Sequence, residues 1–212
     1  MYVGHILSAG RKAIPPDRVN AIRAMPKPEC KIDLQRILGM INYVREFIPN
    51  LAGDLSIFSP LLKKDVEFNW VSAHDEALTR VKDKIANAGA LNSFDEELPV
   101  TIQTDASKCG LGSCLIQNKA PIAFHSRQVS ETETKYSPIE LELLGIVEAC
   151  RKYHYYIYGK KVITVITDHK PLVSLFKSSI SKITSHRLLR LRTKLLPYNL
   201  KVEYTPGTHV SC

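Results

Sequence analysis

The sequence predicts an α+β or α/β fold in which a mostly helical part, residues 1–90, precedes a mixed β-sheet with flanking helices, residues 91–212. Two observations support this division. Apolar residues recur at helical spacing in the first part, whereas strand-like and helix-like segments alternate in the second. The second part begins with three successive strands and continues with a helix and a further strand, an order typical of a mixed sheet covered by helices.

The first part contains three candidate helices. The segment DRVNAIRAMPKP ends at prolines, and SAHDEALTRVKDKIANAG begins with Ser72 and Asp75 at capping-box spacing. Between them, DLQRILGMINYVREFIP carries one apolar stripe, formed by Leu34, Ile37, Leu38, Ile41 and Val44. We expect these helices to bury their apolar faces against one another.

The second part is predicted to form one sheet with helices on it. We place strands at 98–104, 110–117, 121–127, 161–167 and 199–204, a helix at 138–155 and further helices over 171–196.

Composition argues against membrane and secreted proteins. The chain is 44% hydrophobic, and no window approaches the run of about 18 apolar residues that a membrane span needs. The N-terminus MYVGHILSAGRK does not resemble a signal peptide, and the five cysteines include no C-x-x-C pair. We therefore expect an intracellular protein that is not secreted and has no membrane partner.

The formal charge of +8 is concentrated in one segment. Residues 169–202 hold eight lysines and arginines and no acid, which accounts for the whole excess. Within this segment, SHRLLRLRTKLL predicts a half-buried helix with a cationic face. A solvated surface is the simpler interpretation, but the unbalanced charge also suits a polyanion such as a nucleic acid. The candidate contacts are Lys170, Arg187, Arg190, Arg192 and Lys194.

Two strand-like runs end on Thr-Asp. In LPVTIQTDASKCGLGSC the alternating run leads to Asp105, and in VITVITDHKPL an apolar strand leads to Asp168. Either aspartate alone is explained as a residue that caps a turn. A pair of carboxylates at two strand ends can also form a metal site.

The helix YSPIELELLGIVEACRKYHYYIYG contains two further candidate acids. Ser137, Pro138 and Glu140 fit an N-cap, a first-turn proline and the reciprocal capping glutamate, which is sufficient reason for Glu140 to be present. Glu142 is then left as the candidate. It lies beside the apolar stripe, on the flank of the small residue Gly145, and a solvated glutamate is its simpler interpretation.

A series of motifs occurs in order along nearly the whole chain: YVGHILSAG, LGMINYVREFIPNLA, PLLKK, HDEAL, QTDAS, GLGSCLIQ, PIAFHSR, YSPIELELLGIVEACRKYHYYIYG, TDHKPL and YTPGT. Together they resemble the Pol polyprotein of gypsy-type LTR retrotransposons. The resemblance implies that residues 1–28 form the primer-grip hairpin of a reverse transcriptase and that the following helices form its thumb and connection. Residues from about 95 would form a ribonuclease H-like domain.

The resemblance also implies a catalytic site. Asp105 in TDAS, Glu142 in ELLGIV and Asp168 in TDHKPL match the family's carboxylates, which would be both catalytic and metal-binding residues. Hard oxygen ligands select Mg²⁺ or Mn²⁺, and such ions would assist water in cutting the RNA strand of an RNA/DNA hybrid. The remainder of the Pol polyprotein is the implied partner, and the implied location is the cytoplasm, a virus-like particle or the nucleus.

The chain departs from the family in two respects. The family's fourth carboxylate belongs to an ADALSR-like motif shortly after the PG turn, whereas the sequence stops at YTPGTHVSC. We therefore expect the ribonuclease H-like domain to lack its last helix. The palm strand with paired aspartates is also absent, so polymerase activity of this chain alone is not expected.

Two functions compete on these observations. The first is a ribonuclease H-type enzyme fragment, which the three acids favour. The alternative is a catalytically inactive nucleic-acid-binding remnant, which the missing fourth acid favours.

Overall fold

The computed structural model describes residues 4–8 and 10–206. Among these residues, the first part contains four α-helices: α1 Pro16–Ala24, α2 Lys31–Val44, α3 Leu51–Leu55 and α4 Ser72–Ala86. A three-stranded antiparallel sheet joins its two ends: β1 Ile6–Ser8, β2 Arg11–Ala13 and β3 Leu91–Asn92. The β1–β2 pair corresponds to the hairpin that the resemblance implies, apart from residues 1–3 and 9, which lie outside the described residues.

The helices of the first part bury their apolar faces as predicted. Leu34, Ile37, Ile41 and Val44 of α2 are buried, and they share one core with α4. The predicted capping box of α4 is wrong. Ser72 is already inside the helix, and the imidazole Nδ1 of His74 accepts a hydrogen bond from the N–H of Val71. Asp75 instead accepts a hydrogen bond from the indole N–H of Trp70 at 2.8 Å.

The second part contains a five-stranded mixed sheet with the strand order β6-β5-β4-β7-β8. Its strands are β4 Val100–Ala106, β5 Gly110–Gln117, β6 Ala120–Gln128, β7 Ile163–Thr167 and β8 Leu200–Tyr204. The first three are antiparallel, whereas β7 is parallel to both β4 and β8. The predicted mixed sheet is thus confirmed. The last helix expected to be lacking would follow residue 206, outside the described residues.

Up to residue 206, four α-helices accompany this sheet: α5 Pro138–Lys152, α6 His154–Ile157, α7 Lys170–Lys177 and α8 His186–Thr193. The single helix predicted at 138–155 is therefore broken at Tyr153. The side chain of Tyr153 is buried, and its hydroxyl lies 3.1 Å from the carbonyl oxygens of Ser113 and Ala123. These contacts hold Tyr153 against the neighbouring strands at the point where α5 ends. No local pattern in the sequence indicated them.

The two parts have separate apolar cores. One core lies between α5 and the sheet, and the other lies among α1, α2, α3 and α4. Leu91 belongs to the core of the first part, and Phe124 of β6 packs against that core. The boundary at residue 90 stays a prediction. No helix within residues 4–8 and 10–206 is long and apolar enough to cross a membrane.

Candidate metal and nucleic-acid site

Asp105 and Asp168 lie at the same edge of the sheet. Strands β4 and β7 are parallel, and their register pairs Val100 with Ile163 and Gln103 with Ile166. The same offset places Asp168 opposite Asp105, although Asp105 is still within β4 and Asp168 follows β7. The pKa of Asp105 is raised, first by partial burial of its carboxyl and then by the negative charge of Asp168. The two carboxylates are therefore close enough to interact.

Helix α5 brings Glu142 to these two aspartates. A Cβ atom added to Gly145 would lie 3.7 Å from the Cβ of Ala106, so the helix packs closely on the end of β4 one turn from Glu142. Glu142 is only 7% exposed. Its Oε2 atom is buried and has no hydrogen-bond partner among the described residues. Burial, followed by the charges of Asp168 and Asp105, raises the pKa of Glu142 to about 8.

Glu140 has the capping role that the sequence predicts. Its Oε2 accepts a hydrogen bond from the backbone N–H of Ser137 at 2.9 Å. The same oxygen accepts a hydrogen bond from the guanidinium of Arg187 at 3.0 Å. Glu140 is therefore committed to holding the start of α5 and does not compete with Glu142 for the site.

The chemistry of these acids fits a divalent cation. Asp105, Glu142 and Asp168 supply hard oxygen donors, and no cationic side chain is among the influences on the pKa of Glu142. Within the part of the chain that the structure describes, however, no group of three or more His, Cys, Asp and Glu side chains is arranged to hold a metal ion. The acids are thus neighbours without a preformed ligand cage. Their assignment as metal ligands stays a prediction.

The five basic residues predicted to bind nucleic acid are in two different situations. Lys170, Arg187, Arg190 and Lys194 are exposed, whereas Arg192 is half-buried. Arg187 pairs with Glu140, and its guanidinium stacks on the ring of Tyr136 at 4.2 Å. Arg192 stacks on Phe176 at 4.0 Å, and burial lowers its pKa. Lys170 is the first residue of α7, two residues after Asp168 in the chain.

A groove that the sequence did not predict opens beside Asp105. Its volume is about 260 Å³, and both parts of the chain line it, including Asn50, Gly53, Asp105, Ser107 and Gly112. A Cβ atom on Gly112 would lie 2.6 Å from Oδ1 of Asn50, so only glycine permits this approach without a shift. A glycine within a strand was the one available signal, since such glycines often mark the close approach of another element.

Comparisons with known proteins agree with this architecture. Residues 95–198 match the family model described as the RNase H-like domain found in reverse transcriptase. The chain is 30% identical over 220 residues to the retrovirus-related Pol polyprotein from transposon gypsy of Drosophila melanogaster, covering 97% of this chain and 21% of that protein. It is 35% identical to the corresponding polyprotein from transposon 412 of the same organism, covering 97% of this chain and 17% of that protein.

A solved structure shares the fold at low sequence identity. The foamy viral protease-reverse transcriptase in complex with RNA/DNA hybrid superposes with a TM-score of 0.82 at 23% identity, over 97% of this chain and 29% of that one. Residues 95–198 therefore form an RNase H-like domain of the reverse-transcriptase type. Over nearly its whole length the chain is similar to gypsy-type retrotransposon Pol polyproteins, and it spans about a fifth of the length of the first of these curated relatives.

Proposed function

We propose that this chain provides the ribonuclease H site of a retroelement reverse transcriptase, which cuts the RNA strand of an RNA/DNA hybrid with Mg²⁺ or Mn²⁺. One observation carries the proposal. Two aspartates at matched positions of adjacent parallel strands lie beside a buried glutamate whose pKa is raised to about 8. Such crowding of acids is unfavourable unless a cation offsets their charge, and perturbed carboxyls of this kind are typical of functional sites.

In this proposal Asp105, Glu142 and Asp168 hold the divalent cation. When bound, the ion supplies an activated water and stabilises the leaving oxygen of the cut strand. Glu142 must lose its proton to act as a ligand, and its raised pKa means that the nearby cation must favour this loss at neutral pH. Lys170, Arg190 and Lys194 contact phosphates without reading the base sequence.

The hybrid is the proposed substrate because the superposable foamy viral structure contains one. The remainder of a Pol polyprotein is the proposed partner because the matched relatives are such polyproteins. We further propose that the chain acts inside the cell, in the cytoplasm, a virus-like particle or the nucleus.

The test is release of labelled RNA from an RNA/DNA hybrid, with an all-DNA duplex as the control substrate. We would assay the chain as it is and the chain extended by a helix containing the ADALSR-like motif that the family resemblance implies. The extended protein is expected to cut with Mg²⁺ or Mn²⁺, and Asp105→Asn is expected to abolish cutting. If the folded, extended protein cuts with neither ion, the inactive nucleic-acid-binding remnant is the better account.

A further inference from the structure

The two parts of the chain meet along strand β6. Phe124 packs into the core of the first part, and the next two residues on the same face of the strand bond to that part. The backbone N–H of Ala52 donates to Oγ of Ser126 at 3.0 Å, and the hydroxyl of Ser59 donates to Oε1 of Gln128 at 2.8 Å. Arg45 completes the contact, since its Nη2 donates to the carbonyl oxygen of Ser126 at 2.6 Å.

Arg45 is an unusual residue for this position. It is half-buried, and within the described residues no carboxylate pairs with it. Its Nε is buried without a hydrogen-bond partner in the same part of the chain, and burial lowers the pKa of the guanidinium. A cation in such a place costs free energy that an apolar side chain of similar size would avoid. Packing alone therefore gives no reason for an arginine here.

The opposite face of β6 is attached to the helix that carries Glu142. The carboxylate of Glu148 in α5 accepts a hydrogen bond from Nε2 of His125 at 3.2 Å, and its Oε2 forms an ion pair with Nε of Arg127 at 3.3 Å. Arg127 also forms two hydrogen bonds of 2.8 Å with the carboxylate of Glu133. A continuous set of direct contacts thus runs from Arg45 through β6 to α5.

The same contact fixes the wall of the groove beside Asp105. Ala52, whose N–H bonds to Ser126, lies two residues after Asn50. The carboxamide of Asn50 lies over Gly112, and Gly112 is the cross-strand partner of Asp105 in the β4–β5 ladder. Displacement of α3 from β6 would therefore open the groove at the residue that faces Asp105.

We propose that Arg45, acting through Ser126, is a positioning residue of the nuclease site, so that the first part of the chain forms one wall of the groove that receives the hybrid. This inference rests on the proposed function and adds a contribution from outside the RNase H-like domain. It does not make Arg45 a catalytic residue, since its guanidinium bonds to a backbone carbonyl and not to the acids.

The first test is independent of activity. Amide hydrogen exchange is measured on the 212-residue chain and on its Arg45→Met variant, which keeps the side-chain volume but removes the bond to Ser126. Arg36→Met is the matched control, because Arg36 is on α2 and its side chain is 78% exposed. Exchange should become about 10-fold faster or more at Ala52 and also across the contact, at residues 105–112, while the control matches the unaltered chain.

The second test uses the extended protein and measures hybrid cleavage. Arg45→Met should lower kcat by about 10-fold or more, because small misplacements of a substrate are costly, while the midpoint of thermal unfolding changes little. Arg45→Lys should recover part of the loss. If Arg45→Met does not fold, Arg45→Gln replaces it, because that change keeps a polar side chain but shortens it and removes the guanidinium that donates to the Ser126 carbonyl.

The outcomes distinguish the positioning role of Arg45 from the proposed nuclease function. Unchanged exchange at residues 105–112 in a folded variant overturns the positioning role, as does cleavage equal to that of the unaltered protein. If the unaltered extended protein does not cut the hybrid, the proposed function fails. The exchange result alone then decides whether Arg45 holds the groove wall.

Discussion

Asp105 and Asp168 occupy matched register positions on two adjacent parallel strands, although 62 residues separate them in the chain. Parallel pairing brings the ends of both strands to one edge of the sheet. Helix α5 then places the buried Glu142 against the same edge. The arrangement is electrostatically unfavourable by itself, and this property makes the site testable without an activity assay.

Divalent cations should stabilise the folded chain through these acids. A ligand that binds only the folded state at a hundredfold excess over its Kd adds about 3 kcal/mol to the free energy of unfolding. We expect Mn²⁺ to raise the midpoint of thermal unfolding, and Asp168→Asn to reduce that rise. Asp65→Asn, at an exposed position outside the site, is the control. An equal rise in the chain and in Asp168→Asn would contradict the metal site.

Glu142 should make the metal-free chain less stable as the pH rises. Its pKa in the folded state, about 8, is above the ordinary value of 4.5, so the folded state binds more protons between these values. The free energy of unfolding should therefore fall as the pH rises through this window. At pH 8 in a chelator, Glu142→Gln should be more stable than the unaltered chain by about 1 to 3 kcal/mol. Urea unfolding at pH 5 and pH 8 measures the difference.

The matched control for Glu142 is the exposed Glu76→Gln, which should leave the pH dependence unchanged. A Glu142→Gln variant that loses stability at pH 8 would show that the charged carboxylate has a partner that the folded chain itself provides. The buried, neutral form would then be the wrong description of this residue.

Lys170, Arg190 and Lys194 should dominate nucleic-acid binding. Each phosphate contact changes the slope of log K against log salt by about 0.7 to 0.9. Arg190→Ala and Lys194→Ala should each reduce the magnitude of this slope by about 0.7 to 0.9, the change expected when one phosphate contact is lost. Arg187→Ala and Arg192→Ala should instead lower stability, since these side chains are held by Glu140 and by the rings of Tyr136 and Phe176.

Titrations of labelled hybrid at several salt concentrations measure these slopes. A slope that changes with Arg187→Ala and not with Arg190→Ala would reverse the assignment. If the slope is unchanged in every variant, the cationic face of α8 is a solvated surface that does not contact phosphates.

The charged interactions of Glu148 should stabilise the folded state at neutral pH. Hydrogen bonds from His125 and Arg151 and the charge of Arg127 hold the pKa of Glu148 well below its usual range. Its contribution is therefore present above about pH 4.5, the ordinary carboxyl value, and is lost as the pH falls further. Glu148→Gln should lower the free energy of unfolding at pH 7 by about 1 to 3 kcal/mol, because a neutral amide weakens the hydrogen bonds to His125 and Arg151 and no longer offsets the charge of Arg127.

The difference between Glu148→Gln and the unaltered chain should shrink as the pH falls below 4, because the unfolded state then binds a proton at this carboxyl that the folded state does not. Urea unfolding at pH 7 and at low pH measures this change, and the exposed Glu131→Gln is the control. A penalty that is the same at both pH values would mean that packing, and not charge, explains the loss.

Local patterns in the sequence were sufficient for the longer helices and strands and for the candidate acids, but not for the short helix α3 or the two-residue strand β3. The apolar stripe of α2 and the alternation in β4 reflect periodicities of 3.6 and 2 residues, which depend on near neighbours alone. The capping geometry of Ser137 and Glu140 is also local, and it singled out Glu142 before any tertiary contact was known. The family resemblance then joined Glu142 to the two Thr-Asp motifs as a set.

Contacts between distant segments were decided only by the tertiary structure. The sequence could not distinguish Arg190 from Arg187 and Arg192, because the side chains that hold Arg187 and Arg192, namely Glu140, Tyr136 and Phe176, come from other segments of the chain. It could not show that α5 ends at Tyr153 or that Arg45 bonds to Ser126. A periodicity identifies which face of an element is buried, whereas the partner of that face depends on how the whole chain packs.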